Sequence, residues 1–142
     1  MGNFHNTREY VKRGADGCII DITNDLYPFG TNGFNVNLNI VYSGLSDPHS
    51  LTWNDGNLYY AESRKRSIAK SGKEFLRFER GYIRGLLFKN GSLFIGVSTS
   101  RHADDGECGN ADILHVFTKT LERIKQYTIP AKEIYSIIFP LQ

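Results

Sequence analysis

Short runs of β-branched and aromatic residues, broken by Gly, Asn and Asp, fill most of this chain. Residues 35–42, Asn-Val-Asn-Leu-Asn-Ile-Val-Tyr, alternate polar and apolar positions with period two, the signature of a half-buried strand. Cys18–Thr23 is a further β-branched run. Leu51–Trp53 and Leu58–Ala61 flank an Asn-Asp-Gly-Asn turn, and Ile83–Phe88 and Leu93–Val97 flank Asn90-Gly91. Both read as hairpins, because an Asx-Gly pair supplies the two positive-φ residues of a tight primed turn. Weaker strands are expected at Ser67–Lys70 and Phe75–Phe78, then at Ile113–Phe117, Ile124–Ile129 and Glu133–Phe139. No window carries a sustained helical apolar stripe with caps. Residues 119–126 suit at most one helical turn, against the strand tendency of Tyr127-Thr-Ile129.

The two hairpins are copies of one another. Residues 49–63 align with residues 84–98 at a spacing of 35. Leu51/Leu86, Gly56/Gly91, Leu58/Leu93 and Ser63/Ser98 are identical, while Trp53/Phe88, Asp55/Asn90 and Tyr59/Phe94 are conservative pairs. Ser136-Ile-Ile-Phe139 echoes the first strand of each hairpin once more, displaced by 51 because Thr99–Asp112 is a longer connection. A repeat of this length marks stacked or radial modules. Four short strands per module fit a β-propeller blade. The expected fold is therefore all-β, with about three four-stranded antiparallel blades. Residues 1–43 would be the outer strands of a first blade, 44–80 a second blade, 81–130 a third, and 131–142 the inner strand of a next one. Two copies could close a six-bladed ring, each final strand completing its partner's first blade. Trp53 and Phe88, at matching places, are expected between blades.

Composition narrows the function classes. With 40% hydrophobic residues in 142, the chain can fill one core. A formal charge of +2 implies neither nucleic acid nor a membrane surface. No apolar run approaches the ~18 residues of a membrane helix, and the opening residues lack the apolar core of a secretory leader. Cys18 and Cys108 read as reduced thiols, so the expected location is cytoplasmic. The basic residues between Arg64 and Arg80 are interrupted by Glu62, Glu74 and Glu79 and read as a solvated outer edge.

From Pro48 to Phe139 the chain resembles a mainly bacterial family of six-bladed, NHL-type propeller-like proteins without an established activity. The likeness rests on Pro48-His49-Ser50, Trp53, Asp55-Gly56 and Leu58, then on Arg84-Gly85 and Phe88. It continues through Leu93–Ser98, Arg101 and Gly106-Glu107-Cys108-Gly109. The resemblance implies a propeller and supplies no reaction. Members of the family look about twice as long as this chain, which resembles their central part. Asp21 fits the family's usual acidic third-strand position, whereas the third blade offers Phe117.

Candidate chemistry follows from repeat position. His49, Arg84 and Tyr135 occupy equivalent places at the heads of successive inner strands, where a propeller would gather them around one opening. Arg84 can pair bidentately with a carboxylate or phosphate, or bridge to Asp47 or Glu133 within the protein. His49 can act as a base or orient a ligand, or be tied to backbone. Arg101 and His102 would belong to the rim. Asp104 and Glu107 are lesser candidates for a divalent metal, at a spacing that matches no known pattern. No resident cofactor is expected. The reading is a binding or scaffold protein whose polar opening holds a small anionic or polyhydroxylated ligand, with no catalytic signature. The alternatives are a metal-assisted hydrolase or lyase at the same opening, with His49 as base, and a purely structural half-propeller subunit or fragment.

Overall fold

A computed structural model describes residues 17–21, 39–99 and 109–140. The chain divides into two units, residues 1–46 and 47–142. In the first, β1 (Gly17–Asp21) pairs antiparallel with β2 (Asn39–Leu45).

The second unit holds two four-stranded antiparallel meanders. The first runs β3 (Pro48–Asn54), β4 (Asn57–Glu62), β5 (Ser67–Lys70) and β6 (Lys73–Arg77), paired in that order. The next runs β7 (Tyr82–Lys89), β8 (Ser92–Ser98), β9 (Ala111–Phe117) and β10 (Arg123–Ile129), again in sequence order. The all-β class and the four-stranded modules thus stand as expected; no closed ring forms among the described residues. Turn chemistry explains the registers. Asp55-Gly56, Ser71-Gly72 and Asn90-Gly91 all have positive φ at both residues, the type I′ geometry that matches strand twist. The helical turn considered for residues 119–126 is absent: a turn at 118–120 leads directly into β10.

The core lies between the two sheets. Tyr59, Ala61 and Ile68 of the first meet Ile83, Leu86, Leu93, Ile95 and Val116 of the second, with Phe75 and Phe78 packed against them. Burying each such aliphatic side chain contributes about 1.5–3 kcal/mol.

The inner strands share one irregularity. One extra residue enters β3 between His49 and Thr52, and another enters β7 between Ile83 and Leu86. Ser50 (φ 56°) and Gly85 (φ 78°) take the left-handed conformation there, as the first residue of a G1 β-bulge does. The two bulges are linked: the Gly85 N–H donates to Ser50 Oγ at 2.6 Å. At the end of the second strand, buried Ser63 Oγ donates to the Ile83 carbonyl at 2.7 Å. Its repeat partner Ser98 donates to the Ile134 carbonyl at 3.3 Å and accepts from the Ile134 N–H at 2.9 Å. Aromatic contacts recur in the same register. Phe88 lies on Tyr59 at 4.6 Å between centroids, and Phe139 meets Phe94 at 5.4 Å.

Residues 133–140 therefore sit on the second sheet as β7 sits on the first. They join no sheet among the described residues, which differs from the strand expected there. A strand needs a neighbour to bond along its edge, and none of the described residues provides one. Trp53 also departs from expectation. Its equivalent Phe88 is packed, but Trp53 is 70% exposed.

Removing the Ser98 hydroxyl should release the backbone of Ile134. Ser98→Ala is expected to destabilise by about 1–3 kcal/mol, the cost of an unsatisfied buried partner, read from denaturant midpoints. Gly96→Ala should cost a similar ~1–3 kcal/mol by overpacking, since a Cβ there collides with the Arg84 carbonyl oxygen and comes within 2.9 Å of Ile134.

Candidate functional site

His49 enters at the second residue of β3 and Arg84 at the third residue of β7, each beside a bulge. Tyr135 follows the latched Ile134. The bulge matters because an extra residue re-aims the side chains beside it. At Arg84 the backbone also runs unusually close to β8, permitted by the missing side chain of Gly96.

These three side chains do come together, around two carboxylates. Arg84 Nη2 lies 4.0 Å from Asp47 Oδ2, and Arg84 Nη1 lies 4.0 Å from Glu133 Oε2. The guanidinium stands over the Tyr135 ring at 5.6 Å, within the range of cation–π attraction. Tyr135 donates its hydroxyl proton to Glu133. His49 Nε2 lies 3.3 Å from Asp47 Oδ1. The alignment of that contact falls short of a full hydrogen bond. Arg84 Nε is likewise buried without a hydrogen-bond partner. So both internal bridges foreseen for Arg84 exist, but at a length that holds the fork in orientation without closing a tight pair.

The electrostatics follow. His49 is the largest influence holding the Asp47 carboxyl below its ordinary value of 3.8. Partial burial pushes the other way, and the charges of His49, Arg84 and Arg64 add to the lowering. Asp47 and Glu133 entered the sequence reading only as bridging partners for Arg84. A signal for them was available: positions 47, 82 and 133 are repeat equivalents, two residues before His49, Arg84 and Tyr135.

Arg101, His102, Asp104 and Glu107 lie outside the described residues. Among the described residues no group of three His, Cys, Asp or Glu side chains has metal-binding geometry. Several basic residues of 64–80 are engaged locally: Lys65 pairs with Glu62 at 2.7 Å, Arg77 pairs with Glu74, and Arg66 donates to the Glu79 carbonyl. A further cavity of about 290 Å³ lies at the hairpin tips, lined by Asp55, Lys89, Asn90 and Thr118 among others. None of His49, Arg84 and Tyr135 lines it.

Compared with family models, with curated proteins and with solved structures, the chain matches none.

The lowered Asp47 pKa makes a signed prediction. A carboxyl depressed in the folded state adds stability above its unfolded value, and that contribution is lost as pH falls through the folded value. The loss therefore begins near 3.8 and continues below it. His49→Ala should flatten this acid limb, measured as denaturant midpoint against pH. Separately, Arg84→Ala leaves two carboxylates without their cation and removes a largely buried stem. It should destabilise by roughly 1–3 kcal/mol, less than the loss of a fully buried pair.

Proposed function

We propose that the two sheets are consecutive blades of a β-propeller, and that the cluster at the heads of the inner strands is its binding mouth for a small, neutral, polyhydroxylated ligand. One observation carries this reading. His49, Arg84 and Tyr135, one from each of three successive inner segments at a single repeat register, converge with Asp47 and Glu133.

The chemistry of the set favours hydroxyls over anions. The two carboxylates stand against Arg84, with Arg64 near enough to act on Asp47, so a phosphate or carboxylate ligand meets repulsion from Asp47 and Glu133 as well as attraction. A diol suits the same groups: each carboxylate accepts hydroxyl protons, and the guanidinium and imidazole donate or accept opposite them. Because Arg84 holds its carboxylates only at 4.0 Å, its N–H groups keep capacity for a ligand oxygen. Tyr135, 65% exposed, offers an apolar ring face for C–H groups of a cyclic polyol. This narrows the expected ligand from "anionic or polyhydroxylated" to the second class. The role proposed for the cluster is binding.

Titration of the protein with neutral hexoses and cyclitols, beside their phosphate esters, tests the reading. At least one neutral polyol should bind saturably, more tightly than its phosphate. Asp47→Asn and Glu133→Gln should each weaken it about tenfold, the loss of a charge-assisted hydrogen bond. Preference for the phosphate, or silence across the neutral panel, would sink the proposal.

A further inference from the structure

The step from one inner strand to the next is taken twice, with the same atoms each time. Ser63 latches Ile83, and Ser98 latches Ile134. Phe88 covers Tyr59, and Phe139 covers Phe94. The inner strands also touch one another directly, through Ser50 and Gly85, and through Gly85 and Ile137, whose Cγ1 would lie 3.0 Å from a Cβ at Gly85. This is an established interface with a fixed register, and β3 and residues 133–140 are its two ends.

Each end is apolar where the interior of the series is covered. Leu51 on β3 is 51% exposed, whereas its equivalent Leu86 is 7% exposed. Trp53 shows the same contrast with Phe88. At the other end, Ile138 is 80% exposed on an extended segment that belongs to no sheet among the described residues. Within one chain these ends cannot meet, because residues 133–140 already lie on β8. A second copy supplies what each lacks.

We propose that β3 of one copy receives residues 133–140 of a second copy, and the reverse, so that two chains form a closed pair. Ser136 occupies the register of Ser50 and Gly85. Its hydroxyl then accepts from the Ser50 N–H of the other copy, as the Ser50 hydroxyl accepts from the Gly85 N–H within one chain. The contact is made twice in the pair, and it continues an existing interface rather than creating a new kind. Leu51, Trp53 and Ile138 become covered, as Leu86 is already.

Light scattering and fluorescence on the full chain test this. Trp53 is the sole tryptophan, so its emission reports the contact directly. The wild type should have twice the 16.1 kDa mass of one chain, with Trp53 emission that shifts to the red on dilution. Ile138→Lys changes an exposed residue, so it should keep the β circular dichroism, halve the mass and show red-shifted Trp53 emission at every concentration. Trp53→Lys, acting from the other face, should halve the mass as well. A folded wild-type monomer would overturn the proposal. So would a pair that survives both substitutions, or species that keep growing with concentration. Ligand titration does not enter these readouts, so this pairing and the binding proposal stand or fall separately.

Discussion

The serine at the end of each second strand is the fastening on which the arrangement depends. Its hydroxyl reaches out of its own sheet to the backbone of the next inner segment, at a place sealed from water. A buried carbonyl needs a donor, and inside a dry core only a specific side chain supplies one. The aliphatic and aromatic core between the sheets provides most of the attraction. It is the hydroxyl, however, that sets how far one strand may slide along the next. The left-handed bulge works with it, because an extra residue at Ser50 and Gly85 turns the strand head away from regular pairing.

That turn creates the polar cluster. Along a regular β-strand side chains alternate strictly between faces, and the bulge interrupts that alternation beside His49 and beside Arg84. With the bulge, successive strand heads converge, and carboxylates two residues upstream come into the same small space. Carboxylates and guanidinium stand side by side, so the cluster tolerates partial burial without a tight ion pair. The lowered pKa of Asp47 and the loose hold on Arg84 are two aspects of one arrangement: groups oriented by their neighbours without closing a tight pair.

Much of this was legible in the sequence, for identifiable reasons. Two hairpin turns were readable because Asx-Gly pairs have few conformational options; the third, Ser71-Gly72, takes the same geometry without that signal. Strand pairing followed from the 35-residue repeat, and the grouping of His49, Arg84 and Tyr135 followed from its register. The bulge was not legible, since Ser50 is an ordinary residue in an unusual conformation and only the partner strand reveals the extra residue. Asp47 and Glu133 were seen as partners for one arginine, not as members of a shared set, because the repeat was traced only from His49 onward. Trp53 was misplaced because repeat equivalence gives the position of a side chain but not whether a neighbour covers it. The polar loop with Arg101, His102, Asp104 and Glu107 lies outside the described residues.

The unequal spacing of the modules has its own consequence. From Ser50 to Gly85 is 35 residues, and from Gly85 to Ser136 is 51, yet the latch and the aromatic contact are the same on both sides. The extra length between β8 and residue 133 leaves both contacts unchanged, and lengthening a connection costs little entropy. Evolution can thus rewrite that connection, in size and chemistry, while inheritance of the scaffold continues undisturbed. Diversity in such a lineage should gather there, and constancy in the serines.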